Sequence, residues 1–145
     1  MAAPSRPAFF WFRRSRAAVC WRLSDVALAQ GELREAQTLS ETARGGFEAL
    51  LARHPLAFAD HAAEFYSGSG NDAQRAFELT AIDLANRPTL RAFEKAHEAA
   101  IHAGKTQDAA GILEAARVRW GWTAPFAQSS LAAVPPEPAS PHDRY

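Results

Sequence analysis

His97 and His102, with Glu98 directly after the first, are the residues whose types come nearest to a catalytic metal site, because paired histidines beside a glutamate can hold and use zinc. The spacing works against that chemistry. Ligands four apart share a helix face, whereas five residues at about 100° each set these histidines roughly 140° apart. A packed His97 and a surface His102, with no metal, are expected. Gly68-Ser69-Gly70-Asn71-Asp72-Ala73 meets the glycine spacing of a dinucleotide-binding turn. That turn must follow a buried strand and precede an acid by about 20 residues within a βαβ unit. Residues 62–66 read as helix instead, so a flexible inter-helix loop and no cofactor are expected.

Cys20 is the only cysteine, and no motif sets a histidine and an acid beside it. A small core residue is the expectation, rather than a nucleophile. It cannot form an internal disulfide, which fits a reducing compartment or a protein indifferent to one, and a cytoplasmic location is expected. There is no G-x-S-x-G, and no carboxylate pair is set apart by contrasting environments. The chain therefore reads as a non-enzyme, without catalytic residues.

The elements that position these side chains follow from composition. Among 145 residues, 48% are apolar and 10% aromatic, enough for one core. Ala, Leu, Glu, Arg and Gln dominate while β-branched residues are scarce, so the class is all-α. Net charge is zero, but Arg6, Arg13, Arg14, Arg16 and Arg22 precede the first acid, leaving the remainder net negative. That balance excludes a dedicated nucleic-acid binder. No apolar run reaches the roughly 18 to 20 residues of a membrane span. The start is Arg-rich and acid-free like an organelle-targeting segment, yet arginines after Phe9-Phe10-Trp11-Phe12 prevent a secretory apolar stretch.

Three regions are expected: a flexible basic-aromatic segment over 1–14, a helical domain over 15–122, and a Pro-rich disordered tail over 123–145. Six helices fit between the breakers Gly31, Pro55, 67–70, Pro88 and Gly104. The first, over 15–29, should bury Val19, Leu23, Val26 and Ala27. The second, over 33–53, should bury Leu33, Ala36, Ser40, Ala43, Phe47, Leu50 and Leu51, with Gly45 and Gly46 weakening its middle. Helices over 56–66 and after Asn71 or Asp72 present Phe58, Ala62, Phe65 and Tyr66, then Ala73, Ala76, Phe77, Thr80 and Leu84. Helices over 89–103 and 106–120 present Leu90, Phe93, His97, Ala100 and Ile101, then Ala109, Leu113, Ala116 and Trp120.

Gly70 and Gly104 stand 34 residues apart, and Pro55 and Pro88 stand 33 apart. Together with Gln30-Gly31-Glu32-Leu33-Arg34-Glu35-Ala36 and Ala103-Gly104-Lys105-Thr106-Gln107-Asp108-Ala109, this period resembles the tetratricopeptide repeat, a 34-residue helix-turn-helix unit. The resemblance covers about residues 16 to 120. The family's Trp, Gly and Tyr positions fall on Phe93, His97 and Ala100 in the third unit. Gly31 and Gly70 are 39 apart, with the extra residues placed in the helix containing Gly45 and Gly46.

The resemblance implies a right-handed stack of about three hairpins, an α-solenoid whose first helices line a concave, partner-binding groove. On this chain the groove would carry Trp21, Asp25, Asp60, Glu64, Arg91, Glu94, Glu98 and His102, a mainly acidic set suited to a basic segment of a protein partner. Such acids also form ordinary solvated helix faces. Trp120, Trp122 and Phe126 are the residues to fold over the last hairpin; otherwise that end would self-associate or continue a longer array. The basic start could dock in the acidic groove. An alternative function is a peripheral membrane protein resting on residues 9–16 as an aromatic-basic foot.

Overall fold

The computed structural model describes residues 7–135, with side chains from residue 16. Its regular structure is all helical: α1 Pro7–Ala29, α2 Leu33–Leu51, α3 Pro55–Ser67, α4 Ala73–Asn86, α5 Leu90–His102, α6 Thr106–Trp120 and α7 Ala124–Ala127, then a 3-10 turn over Ser130–Ala133. The first six pack as consecutive pairs, α1 on α2, α3 on α4 and α5 on α6, with α2 touching α3 and α4 touching α5. Short connections make sequence neighbours antiparallel. Apart from the start of α1, these six match the expected helices to within two residues.

Backbone chemistry explains the punctuation. Gly31 and Gly104 adopt φ of +79° and +70°, the left-handed conformation that glycine alone takes without strain. In each case the next amide reaches back into the helix, Glu32 N–H to the Ala27 carbonyl at 2.9 Å and Lys105 N–H to that of Ala100 at 2.8 Å. These bonds satisfy carbonyls that a helix end leaves open. Asp72 caps α4 by accepting from the Arg75 amide at 2.9 Å, and Thr89 caps α5 by accepting from that of Ala92 at 3.2 Å.

Gly70, although 34 residues before Gly104, has a different role. Asn71 takes the positive φ of 45°, while a Cβ at Gly70 would stand 2.8 Å from the Phe65 ring and 2.9 Å from the Phe65 carbonyl oxygen. The equal spacing thus hides two distinct turns.

The larger core joins α1 to α4. Trp21 meets Phe47 and Phe65 edge-on with ring centroids 6.0 Å away, and Phe65 in turn contacts Phe47 at 5.2 Å and Tyr66 at 5.0 Å. Ala17, Trp21, Ser24 and Ala27 are the buried positions among the described side chains of α1, so the expected burial of Val19, Leu23 and Val26 is corrected: all three are about half exposed. The Trp21 face wins because it brings a large ring to the aromatic cluster and small residues to the helix contact. A Cβ at Gly46 would lie 2.8 Å from the Ala17 Cβ, so this glycine lets the two helices approach closely. Rather than weakening α2, Gly46 fits its partner. The buried Ser24 hydroxyl donates to the Trp21 carbonyl at 2.7 Å and leaves no orphaned donor. Leu33 and Ile101, also expected inside, are exposed at the edges of their helices.

Both ends of the expected domain change. α1 extends back to Pro7, into the segment expected to be flexible, because proline suits a first helical turn and no other breaker follows before Gly31. At the other end, residues 123–135 are structured despite Pro125, and only 136–145 of the expected tail lie outside the described residues. Thr123 caps α7 by accepting from the Phe126 amide at 3.3 Å, and Phe126 and Leu131 are buried with Phe93, Leu113 and Ala116 in a second core. The Arg117 guanidinium donates to the Val134 carbonyl at 2.6 Å, tying the segment to α6. Trp120 is packed against this core, whereas Trp122 is 84% exposed and covers nothing.

Two substitutions test these contacts by chemical denaturation. Gly46→Val should cost about 2 kcal/mol by pushing α1 from α2. Leu131→Ala should cost about 2 to 4 kcal/mol if the C-terminal turn belongs to the core. Unchanged midpoints would place either contact outside the cooperative unit.

Candidate functional site

The first helices of the second and third hairpins, α3 and α5, stand across an open cleft of about 310 Å³. Ala63, Gly68 and Ala99 give it a small, smooth lining, while Glu64, Lys95 and Glu98 supply charge. Thr80 of α4 also borders the space, but its hydroxyl already donates to the Phe77 carbonyl at 2.9 Å.

The acids of α3 are paired with cations reaching from α5 and the linker before it. Arg87 contacts Asp60 at 3.1 Å and the largely buried Asp83 at 2.9 Å; Arg91 contacts Glu64 at 3.4 Å, and the Lys95 ammonium donates to the same Glu64 oxygen. The cleft is therefore close to charge-balanced rather than mainly acidic. Partial burial alone would raise the pKa of Glu64, but the hydrogen bond and charge of Lys95, with the charge of Arg91, hold its carboxyl below the usual range. Asp60 follows the same logic: burial is outweighed by the charge and backbone N–H of His61 and by Arg87.

Of the expected groove residues, Glu64 and Glu98 line the cleft, while Asp60 and Arg91 take part in the ion pairs with Arg87 and Glu64. Trp21 is corrected to a core residue, 8% exposed, because its ring completes the aromatic cluster. Asp25 is engaged by the Ser69 hydroxyl and, at 3.6 Å, by Arg22. Glu94 accepts from the amide and hydroxyl of Ser130 at 3.1 and 3.2 Å, so it anchors the C-terminal turn. His102 is exposed at the end of α5. Glu98 is exposed and forms no ion pair among the described residues.

Arg87 and Lys95 were not among the expected groove residues. A signal for Lys95 exists: Arg91 and Lys95 sit four apart on one helix, as Asp60 and Glu64 do on another, and matched pairs of opposite sign favour facing helices. No such spacing marks Arg87, which lies in a linker.

A second polar network corrects the expectation of a flexible loop over 68–73. Ser40 donates to the Ser69 carbonyl at 3.0 Å, and the Arg44 guanidinium donates to the Gly70 carbonyl and lies 3.7 Å from Asp72. Nearby, Glu48 accepts from Tyr66 at 2.5 Å and from Arg75 at 3.1 and 2.9 Å. Burial would raise the Glu48 pKa, but the hydrogen bonds from Arg75 and Tyr66 lower it below the ordinary value. Burial and the same carboxylate push the Tyr66 hydroxyl up to about 12. This network makes the loop a brace between hairpins. The helix α3, not a strand, precedes its glycines.

No group of three or more His, Cys, Asp or Glu side chains that could hold a metal is present among the described residues. His97 is half-buried, and burial lowers its pKa; Cys20 packs against the larger core. From Pro7 the basic start continues α1, and its side chains up to residue 15 lie outside the described residues.

These shifts set the response to acid. Glu48, Asp60 and Glu64 have folded pKa values below their ordinary 4.5, 3.8 and 4.5, so their stabilisation is full above those values and is lost as pH falls through the folded ones. His97 acts in the same direction, beginning near its ordinary 6.5. Denaturation midpoints should therefore dip slightly below about pH 6.5 and fall further below about pH 4.5. Glu48→Gln should be less stable at neutral pH and show a shallower acid loss. An identical acid profile would mean that the network is not coupled to folding.

Comparison of the chain with protein-family models, with curated proteins and with solved structures gave no match.

Proposed function

We propose that the protein is an interaction module of stacked helical hairpins, in the tetratricopeptide manner, that holds a segment of a protein partner between α3 and α5. The observation that carries this reading is the cleft itself: two hairpin-opening helices flank an open space with a small-residue lining and charged groups along it. Extended or helical segments are commonly received in such grooves. The sequential packing of the pairs supports the repeat character.

Charge balance refines which partner suits the site. Asp60 and Glu64 already face Arg87, Arg91 and Lys95, so a strongly basic tail gains little from them. Glu98 makes no ion pair among the described residues and lines the cleft, and it is the carboxylate that would receive a lysine or arginine of the partner. A segment with one basic anchor among small or apolar residues is the favoured occupant.

The test is an affinity pull-down from the source cell with wild type beside Glu98→Lys, checked for equal helicity by circular dichroism. Glu98 is the suitable position because Glu94 has a structural contact with Ser130. A partner recovered with wild type and reduced about tenfold or more by the charge reversal is expected. Equal recovery would move binding to another surface.

A further inference from the structure

From Arg16 onward α1 is apolar on two faces, and among the described side chains one of them enters the core. Ala17, Trp21, Ser24 and Ala27 are buried, while Val19, Leu23 and Val26 are 53%, 48% and 51% exposed. At about 100° per residue the exposed three fall within about 60° of one another, forming one stripe directed away from α2. Arg16 and Arg22 lie on its opposite flanks, about 60° to either side of Val19. Both are exposed.

The charge on this helix decides what can cover the stripe. Beside the stripe stand Arg16 and Arg22 and a single acid, Asp25, which is already engaged by Ser69 and Arg22. A second copy of the same face would set arginines against arginines with no free carboxylate to pair them, so self-association is disfavoured. An apolar stripe flanked by arginines matches the surface of an anionic bilayer, where the stripe enters the acyl boundary and the guanidinium groups meet lipid phosphates.

We infer that the outer face of α1, centred on Val19, Leu23 and Val26 with Arg16 and Arg22 beside them, docks the protein on anionic phospholipid membranes. α1 opens the first hairpin, and its inner face packs on α2, so the helix can lie flat on the lipid while the rest of the fold stays in water. The helix does not cross the bilayer: among the described residues no helix is long and apolar enough to do so. Three half-exposed aliphatic residues and a few arginines make a weak, reversible and salt-sensitive contact. The cleft between α3 and α5 is a separate site, and neither proposal depends on the other.

The experiment is co-sedimentation of the full chain with phosphatidylcholine vesicles, with and without phosphatidylserine. Wild type should pellet with the anionic vesicles, remain in solution with the neutral ones, and be released by high salt. The double substitution Leu23→Gln, Val26→Gln removes no core side chain, so its circular dichroism should be unchanged while vesicle binding falls about tenfold. Arg16→Gln should lower binding about fivefold. Wild type that ignores anionic vesicles would overturn the inference, and so would its binding instead to an acidic amphipathic peptide, which would mark a protein-docking face. A double variant that pellets as well as wild type would also overturn it, by assigning the contact to the residues before Arg16.

Discussion

The Trp21 ring, held edge-on against Phe47 and Phe65, is the contact on which the order of the first two hairpins depends. One side chain of α1 touches α2 and α3 together, so the first pair cannot slide on the second without opening an aromatic cavity. Each edge-to-face pair contributes about 0.5 to 1.5 kcal/mol beyond simple burial. The ring reaches that position because Ala17 and Gly46 let the backbones of α1 and α2 come close. The Ser40, Arg44 and Glu48 contacts then close the polar side of the same junction, bonding the α3–α4 turn and Tyr66 to α2.

Across the next junction the joining chemistry is ionic. Arg87, Arg91 and Lys95 reach the carboxylates of α3 and align α3 with α5, leaving the cleft between them open and its net charge small. Ion pairs this exposed contribute little to stability in water. Their value is geometric, since they favour one register for the two helices that border the cleft. They also neutralise the acids of α3, so that Glu98 is the lining carboxylate without an ion pair among the described residues.

The two ends of the molecule solve opposite problems. The last hairpin covers its apolar face with its own chain, through Phe126 and Leu131 and the Ser130 contacts to Glu94. The first leaves Val19, Leu23 and Val26 of α1 about half exposed among the described residues.

Much of this architecture is legible in the residues themselves. Helix type and most boundaries follow from period, caps and breakers, because these are local: Gly31 and Gly104 are read correctly as turn glycines, and residues 62–66 as helix. What stayed hidden is which of two competing options is satisfied across space. α1 presents two apolar stripes, and local pattern cannot rank them; the choice falls to Trp21 only when Phe47 and Phe65 are in place to receive it. Gly46 looks like a helix weakener until Ala17 is found against it, and Glu94 looks like a groove acid until Ser130 folds back onto it. The sequence by itself determined an all-helical chain of short, sequentially connected helices. The tertiary structure alone decided which faces pair and which charges cancel, because packing and ion pairing are set by partners distant in the chain, whose approach no local spacing specifies.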